Sequence, residues 1–418
     1  MKKTLNPSNY GGILKAPSSK SYMQRAIAIA LLAEGKTNLS NCDKSKDSMA
    51  ILKMAGQLGA EIETFGDQIQ ITGNRNFKGP SLSAGESGLG IRTFTPIASL
   101  YHQKIELIGE GSLLKRPMNM LEEPLKNLGV EIQSKNGFLP LLVKGPLKGG
   151  FSKVDGSISS QVLTGLLIAL PLAQQDSVLI VDQLQSIPYI DMTLDIMKKF
   201  GIKVQHDQYE TFHINGNQKY KSQEYDIEGD WSGASFHLVA AAISGELELL
   251  GIQTDSLQAD KAILDALKKA GATVHTQKES IMVKKGPLKG FEFDATHCPD
   301  LFPPLAVLAA ASKGISTIKG VNRLLYKESN RALVLQNELG KLGVDIKIED
   351  DLMIIHGGKI KGGEIDSNHD HRIAMAGAIC SLLTEEPIVI SNAESIQKSY
   401  PDFYRDFDGL CSSKESIV

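Results

Sequence analysis

The chain has 418 residues, of which 42% are hydrophobic, and its 45 lysine and arginine residues nearly balance 48 aspartate and glutamate residues. This length and apolar content suffice for the cores of two or three domains, which excludes a disordered, collagen-like or disulfide-scaffold protein. The net charge of -3 gives no overall attraction to nucleic acid or to an acidic membrane. Any anion-binding site must therefore depend on a local group of basic residues.

The four cysteines, Cys42, Cys298, Cys380 and Cys411, are far apart in sequence and form no CxxC pair for zinc or redox chemistry. We therefore expect unpaired thiols in a reducing compartment. The N-terminal segment has two lysines but no apolar region of a signal peptide, and the longest apolar runs are too short to span a bilayer. The predicted location is the cytoplasm, with no membrane or nucleic-acid partner.

An apolar helix, led by a cluster of Ser, Gly, Asp or Asn, is predicted six times along the chain. The copies align at Ser21, Gly90, Ser160, Gly233, Leu301 and His371, in steps of 68 to 73 residues. Because these helices are apolar almost all round, we expect each to be buried inside a domain.

A second pattern combines the end of an amphipathic helix, a glycine and a short strand. It occurs at Leu58, Leu128, Phe200, Ala270 and Leu342, in steps of 70 or 72 residues. The glycine fits a helix C-cap that requires a left-handed backbone. We interpret the chain as six βαβαββ units of about 70 residues, three per domain, because one unit cannot bury its own faces.

Equivalent helices in a repeat point the same way, so their N-termini should gather at one end of each domain and favour anions. The serine clusters at these helix starts could by themselves be caps. Arg25 and Arg92, however, lie one or two turns into otherwise apolar helices. A buried arginine requires an anionic partner, which favours a binding site.

Other charged segments have simpler interpretations. Residues 326–331, YKESNR, would form a solvated charged face if they were helical. The triplet His369-Asp370-His371 lacks the HxxxH or cysteine partners of a zinc site, so we predict no metal. Residues 83–90 are glycine-rich but lack the Lys-Ser/Thr of a P-loop.

Nine short motifs, in this order and spacing, resemble those of the 5-enolpyruvylshikimate-3-phosphate synthase family between Lys15 and about Phe407. They are APSSKSYMQRA (16–26), GESGLGIR (85–92), KRP (115–117), SISSQVLTGLL (157–167), SIPYIDMTL (186–194), PD (299–300), YKESNR (326–331), DHRIAM (370–375) and KSYPDF (398–403). Each motif is weak alone, but the ordered set is specific. The resemblance implies transfer of the enolpyruvyl group of phosphoenolpyruvate to the 5-hydroxyl of shikimate 3-phosphate, with no metal or organic cofactor.

The family fold implied is α/β: a two-domain inside-out α/β barrel of six βαβαββ repeats, with the active site in an interdomain cleft that closes on substrate. The first domain is expected at residues 15–228 and the second at residues 1–14 plus 229–410, with chain crossings near Leu14 and Gly229. Residues 411–418 are expected to form a frayed tail. The protein is expected to be a monomer.

The resemblance also assigns roles to individual residues. The catalytic set comprises Lys20, Asp300 as a base and Glu328 as the proton donor to the methylene carbon. Shikimate 3-phosphate is expected to contact Lys20, Ser21, Arg25, Ser159, Ser160, Gln161, Ser186, Asp300 and Lys327. Phosphoenolpyruvate is expected to contact Lys20, Gly88, Arg116, Gln161, Arg331, Arg372 and Lys398. His371 is expected to support the site.

The chain departs from the family pattern mainly in the loop GESGLGIRT. There Glu86, Leu89 and Thr93 replace Asn, Thr and Pro, so Glu86 adds a negative charge near the phosphoenolpyruvate site unless it points away. This loop also shapes the pocket for the inhibitor glyphosate in the family. Further along, Asn330 replaces an Asp, and Arg323 stands near the position of a substrate-binding Asn. The acid–base and clamp residues are retained, so we predict an active enzyme.

Three alternative functions fit the sequence less well. The related UDP-N-acetylglucosamine enolpyruvyl transferases have a Lys-Asn pair and a loop cysteine, where this chain has Lys20-Ser21 and Gly111. A non-catalytic repeat scaffold would not need buried charges such as Asp300 and Arg372 together. RNA-end chemistry on a related repeat would need a nucleophilic histidine and a basic stripe.

Overall fold

The computed structural model describes residues 1–73, 77, 79 and 81–413. The chain divides into two compact units. The continuous unit is Ser18–Ile227, and the split unit combines Met1–Pro17 with Glu228–Val418. No helix in the described parts of the chain is both long enough and apolar enough to cross a membrane.

The secondary structure alternates short strands and helices throughout. The strands are β1 (Lys2–Leu5), β2 (Ser8–Lys15), β3 (Lys36–Ser40), β4 (Glu61–Phe65), β5 (Gln68–Thr72), β6 (Ser81–Ser83), β7 (Lys104–Ile108), β8 (Glu131–Lys135), β9 (Phe138–Lys144), β10 (Gly150–Asp155), β11 (Ser177–Asp182), β12 (Val204–Asp207), β13 (Thr211–Ile214), β14 (Glu224–Asp226), β15 (Glu246–Leu250), β16 (Thr273–Thr276), β17 (Ser280–Lys284), β18 (Glu292–Asp294), β19 (Ile315–Lys319), β20 (Asp345–Glu349), β21 (Leu352–His356), β22 (Gly363–Asp366), β23 (Ile388–Ser391) and β24 (Cys411–Ser413).

The α-helices are α1 (Lys20–Leu32), α2 (Lys46–Gln57), α3 (Gly88–Ala98), α4 (Glu122–Asn127), α5 (Gln161–Ala169), α6 (Ile187–Lys199), α7 (Trp231–Ser244), α8 (Ile263–Ala270), α9 (Phe302–Ala311), α10 (Arg331–Lys341), α11 (His371–Cys380) and α12 (Phe403–Leu410). Short 3₁₀ helices connect several of these elements. They are Gly111–Lys115, Asn119–Leu121, Leu170–Leu172, Ala259–Ala262, Pro299–Leu301, Val321–Leu324, Ser381–Leu383 and Ala393–Lys398.

The continuous unit contains three four-stranded sheets of the same topology. Their strand orders are β14-β3-β5-β4, β6-β7-β9-β8 and β10-β11-β13-β12. In each sheet the first two strands are parallel and the other neighbours are antiparallel. The first sheet takes its outer parallel strand, β14, from the end of the unit, where Glu224 pairs with Asn38.

The split unit repeats this scheme with two modifications. One sheet, β18-β19-β21-β20, is identical in order, a second has five strands in the order β16-β17-β15-β2-β24, and the third has three in the order β1-β23-β22. Strand β24 pairs antiparallel with β2, where Tyr10 faces Cys411. Residues 411–413, expected in a frayed tail, therefore form a strand because the edge of β2 offers backbone partners. The remaining expected tail residues, 414–418, lie outside the described residues.

The apolar helices form the two cores, as their composition predicts. In the continuous unit every residue of α3 except Leu89 is buried, and in the split unit every residue of α11 is buried. By contrast, α8 buries Ile263, Leu264 and Leu267 on one side while Lys268 and Lys269 are exposed. This division into inner and outer helices matches the two sequence patterns.

The five glycines of the repeated helix–glycine–strand pattern all adopt the left-handed backbone that was predicted for them. Their φ values range from 86 to 115° at Gly59, Gly129, Gly201, Gly271 and Gly343. A side chain would be strained in this conformation, so the sequence repeat records a backbone requirement at the end of each outer helix.

Helices α3 and α5 of the continuous unit approach each other closely at Gly165. A Cβ atom built on Gly165 would lie 2.4 Å from the carbonyl oxygen of Arg92 and 2.9 Å from Cα of Thr93. The backbones can approach this closely only because the glycine has no side chain. The middle of α5 is thereby held against the middle of α3.

We expect Gly165→Ala to lower the free energy of unfolding by about 1–3 kcal/mol, because the added methyl group must push the two helices apart. Gly340→Ala is the matched control. Gly340 lies in α10 with open space at its Cβ position, so alanine should raise stability by about 0.5–1 kcal/mol. Urea unfolding of both variants checks the pair, and equal effects would contradict the close contact.

Candidate active site

In the continuous unit, side chains link the first turns of the three inner helices. Ser87 caps α3 and donates to Oε1 of Gln24 on α1 at 3.1 Å, while Nη1 of Arg92 on α3 donates to Oε1 of Gln161 on α5 at 2.8 Å. None of the three helices has an acidic residue in its first turn. Their positive ends therefore lie together, as predicted, and no nearby side chain in those turns cancels them.

Arg25 is buried in the first half of α1, and its guanidinium contacts only neutral acceptors. Nε donates to Oγ1 of Thr193 at 2.9 Å, Nη1 to the carbonyl of Ser21 at 2.9 Å and Nη2 to the carbonyl of Tyr189 at 3.1 Å. Within the described residues it forms no ion pair with a carboxylate. Burial therefore lowers the pKa of Arg25 to about 10. This site has positive charge that is not neutralised by the protein's own acids.

Lys20 begins α1 and forms an ion pair with Asp47, with 2.9 Å between Nζ and Oδ2. Both side chains are largely but not completely buried. Ser21 follows Lys20, and its carbonyl orients Arg25. The structure thus brings Lys20, Ser21 and Arg25 to one helix start.

The other predicted serines precede α5 and α6. Ser160 is the buried N-cap of α5, and Oγ of Ser159 accepts from the backbone N–H of Gln161 at 3.2 Å. Ser186 is the buried N-cap of α6 and has a left-handed backbone with φ of 58°. α6 also carries Thr193, the partner of Arg25, so these serines precede helices of the same hydrogen-bonded group.

Arg116 follows the 3₁₀ helix Gly111–Lys115 and packs against the beginning of α3. A Cβ atom built on Gly88 would lie 2.2 Å from Nη1 of Arg116. The two predicted phosphoenolpyruvate contacts therefore touch each other. The carboxylate of Glu86 is bound by Ser112, because its Oε2 accepts from the backbone N–H and Oγ of Ser112 at 2.8 and 2.9 Å.

In the split unit, Arg331 is completely buried and binds three carboxylates. Its Nε donates to Oδ2 of Asp370 at 2.9 Å, Nη1 to Oδ1 of Asp300 at 2.8 Å and Nη2 to Oε2 of Glu328 at 2.6 Å. Burial opposes the charged form, but the three carboxylates raise the pKa of Arg331 above its ordinary value. The predicted base and the predicted proton donor are thus joined by one guanidinium.

Asp300 lies at the start of α9 and also contacts two further cations. Lys327 Nζ is 3.2 Å from Oδ1, and Nη2 of Arg372 is 3.0 Å from Oδ2. Burial works against ionisation of Asp300, but Arg372, Lys327 and Arg331 together hold its pKa well below its usual range. Burial also lowers the pKa of Lys327, with Asp300 opposing that shift.

Lys398 ends the 3₁₀ helix Ala393–Lys398, is buried, and donates to the carbonyl of His369 at 2.9 Å. His371 is buried as the first residue of α11, after the N-cap Asp370. Across the residues that the structure describes, no group of three or more His, Cys, Asp or Glu side chains is arranged to hold a metal ion.

The YKESNR segment differs from a solvated helical face. Lys327 and Glu328 lie in a non-helical bend, and only Arg331 belongs to α10. The bend places Lys327 against Asp300 and the hydroxyl of Ser329 against Asp370. Asn330, which replaces the family's Asp, still caps α10 by accepting from the N–H of Leu333 at 3.4 Å. Asn and Asp are comparable caps, so this departure leaves the helix start intact.

Sequence reasoning did not assign Asp47, Thr193 or Asp260 to the site. Asp260 is 1% exposed, its Oδ2 accepts from the hydroxyl of Ser232, and its Oδ1 has no hydrogen-bond partner in the described structure. Burial first, and then Asp300, raise the pKa of Asp260 to about 7, while Arg372 lowers it. The sequence around Asp260 does not identify it as a site residue, because an acidic residue at the start of an amphipathic helix is common.

The family model for EPSP synthase (3-phosphoshikimate 1-carboxyvinyltransferase) matches residues 5–407. The chain belongs to the EPSP synthase family. It is 39% identical over 415 residues to a 3-phosphoshikimate 1-carboxyvinyltransferase from Clostridium novyi, an alignment that covers 96% of this chain and 95% of the relative. It is 40% identical over 411 residues to the one from Clostridium kluyveri, covering 97% of this chain and 96% of that relative.

Solved structures agree with this family membership. An EPSP synthase from Acinetobacter baumannii superimposes with a TM-score of 0.84 at 27% identity, covering 99% of this chain and 98% of that one. The enolpyruvyl transferase NikO from Streptomyces tendae superimposes with a TM-score of 0.79 at 16% identity, covering 98% and 97%. The second likeness shows a shared fold. The chain thus has the mixed α/β, two-unit fold of this family.

The pKa of Asp260 predicts a pH-dependent stability in this EPSP synthase family member. The folded-state value of about 7 exceeds the ordinary value of 3.8, so unfolding releases a proton between those pH values. The contribution of Asp260 to the free energy of unfolding should therefore fall as pH rises from about 4 to about 7 and stay level above. Urea unfolding of wild type and Asp260→Asn across this range should show the wild type losing stability relative to the variant as pH rises. A constant difference would contradict the shifted pKa.

Proposed function

We propose that the protein transfers the enolpyruvyl group of phosphoenolpyruvate to the 5-hydroxyl of shikimate 3-phosphate and releases inorganic phosphate, a step toward chorismate and the aromatic amino acids. Membership of the EPSP synthase family supports this activity. The observation that carries it from the geometry is the cluster in which Arg331 joins Asp300 and Glu328. A reaction that moves two protons needs two such acid–base groups in fixed positions.

The continuous unit has the chemistry required to bind shikimate 3-phosphate. Its charged Arg25 lacks an acidic partner within the described chain, and serines precede α5 and α6 near the positive ends of helices. A phosphate gains charge-assisted hydrogen bonds from such groups. In our proposal Lys20, Ser21, Arg25, Ser159, Ser160, Gln161 and Ser186 bind this substrate, together with Asp300 and Lys327 of the split unit.

Phosphoenolpyruvate carries a carboxylate and a phosphate, so it needs several cations. We assign Lys20, Gly88, Arg116, Gln161, Arg331, Arg372 and Lys398 to it. Arg331 and Arg372 donate to Asp300, and Arg331 also donates to Glu328. An arriving anion would compete for these same donors. Glu328 would then lose part of the cationic contact that favours its ionised form, which suits a proton donor.

The chemistry proceeds in two balanced steps. In the addition, the substrate 5-oxygen bonds to C2 of phosphoenolpyruvate, Asp300 accepts the hydroxyl proton, and Glu328 gives a proton to the methylene carbon, which becomes a methyl group. In the elimination, the bond between C2 and the phosphate oxygen breaks, the departing phosphate takes up the proton held by Asp300, the methyl group returns a proton to Glu328, and the carbon–carbon double bond re-forms. The depressed pKa of Asp300 keeps it ionised at neutral pH, as a base must be before it accepts a proton.

The proposal also includes the finer features that family resemblance implies. These are the domain division at residues 15–228 and at residues 1–14 plus 229–410, the inside-out barrel form of each domain and an active-site cleft between them. A monomeric, cytoplasmic enzyme that works without metal or organic cofactor completes the proposal.

The activity is tested by phosphate release from purified protein given phosphoenolpyruvate with shikimate 3-phosphate, and separately with UDP-N-acetylglucosamine. We expect release only with the first pair. Glu328→Gln, which keeps the side-chain shape but cannot transfer the proton, should lose activity. Silence of the folded wild type with both pairs would overturn the function, and normal turnover by the variant would overturn the role of Glu328.

The role of Arg25 predicts a selective defect. Lysine cannot reproduce the three hydrogen bonds to Thr193, Ser21 and Tyr189 and still present a fixed charge. Arg25→Lys should raise KM for shikimate 3-phosphate at least about tenfold and change KM for phosphoenolpyruvate much less. The exposed Arg405→Lys serves as control and should change neither. Equal effects on both substrates would contradict the assignment.

A further inference from the structure

Glu86 joins two segments of the continuous unit that are separated by twenty-odd residues in sequence. Its Oε2 accepts from both the backbone N–H and the hydroxyl of Ser112. The backbone reinforces this junction, because the N–H of Glu110 donates to the carbonyl of Gly85 at 2.8 Å. The loop before α3 is therefore fastened to the beginning of the 3₁₀ helix Gly111–Lys115.

Gly111 makes this junction possible. Its φ is +55°, and a Cβ atom built on it would lie 2.3 Å from Oε2 of Glu86. The carboxylate thus occupies space that any other residue type at position 111 would fill. The glutamate side chain at position 86 therefore fits only because position 111 is a glycine.

The fastened turn leads directly to Arg116. This side chain is only 9% exposed, yet its Nε has no hydrogen-bond partner and its guanidinium forms no ion pair anywhere in the described structure. Its guanidinium lies against Gly88, two residues beyond Glu86. The position of the Arg116 guanidinium therefore depends on the backbone of residue 116 and on the contact with Gly88. Glu86 fixes the distance between these two segments, because it binds Ser112.

We infer that Glu86 is a positioning residue for Arg116, and that it thereby sets the affinity for phosphoenolpyruvate without affecting that for shikimate 3-phosphate. The inference rests on the proposed function, since Arg116 is assigned there to phosphoenolpyruvate. The negative charge of Glu86 is compatible with that substrate because it is hydrogen-bonded at Ser112, and the end of α3 is capped by Ser87 instead.

Steady-state kinetics of Glu86→Ala should show KM for phosphoenolpyruvate raised about tenfold, because a misplaced guanidinium loses its alignment with the anion. KM for shikimate 3-phosphate should stay within about twofold, since the contacts of Arg25 to Thr193, Ser21 and Tyr189 do not involve this turn. Glu86→Gln, whose amide oxygen can still accept from Ser112, should restore near-normal values. Glu110→Ala is the matched control: it removes an exposed carboxylate from the same turn and should leave both constants unchanged.

A double-mutant cycle that combines Gly111→Ala with Glu86→Ala tests the contact between residues 86 and 111 separately from catalysis. In wild type the added methyl group collides with Glu86. This substitution should therefore lower the stability in urea and raise KM for phosphoenolpyruvate. In the Glu86→Ala background the collision is absent, and the same substitution should cost much less.

The possible outcomes decide between the two proposals. If the wild type releases no phosphate, the proposed function fails. The energetic coupling of Gly111→Ala with Glu86→Ala in urea unfolding still measures the contact between Glu86 and Gly111 in that case. Given an active wild type, any of three results overturns the positioning role of Glu86. Glu86→Ala could leave KM for phosphoenolpyruvate unchanged, or it could raise both KM values equally. The third such result is that Glu86→Gln changes the KM values as much as Glu86→Ala does.

Discussion

One buried guanidinium organises the ionisable groups of the split unit. Arg331 has no exposed surface, and leaving such a charge unpaired would cost on the order of several kcal/mol. Its partners Asp300, Glu328 and Asp370 lie in the segments just before α9, α10 and α11, so satisfying one side chain brings three segments together. Asp300 and Glu328, the proposed acid–base groups, are therefore held in place by the same interaction that makes burial of the arginine possible.

The continuous unit shows the opposite arrangement, a buried arginine among neutral groups. Arg25 is buried among hydroxyl and carbonyl groups, and the inner helices begin without acidic residues, so positive charge is retained there. The two units thus differ in character: Arg25 of the continuous unit contacts only neutral acceptors, whereas Arg331 and Arg372 of the split unit contact carboxylates. This contrast arises although both units are built from the same repeated arrangement of helices and strands.

The repeats, the buried inner helices and the left-handed glycines could be predicted because each is a local or periodic property of the sequence. The contact of Lys327 with Asp300 could not be predicted from periodicity, since a non-helical bend, rather than a helix, directs the lysine; only the family resemblance placed both residues in one site. Asp260 was also missed, because its burial depends on tertiary packing around an unremarkable helix start. Glu86 was recognised as a departure, but only the structure shows that Ser112 holds its carboxylate.

The path of the chain through the sheets has a consequence for synthesis on the ribosome. The continuous unit contains all its strands by residue 227, with β14 completing the first sheet beside β3. Strand β2 is made earlier but lies between β15 and β24, and β1 pairs with β23, so both must wait for distant segments. Such non-local pairing is slow, so the middle of the polypeptide should reach its final form while its first seventeen residues are still without partners.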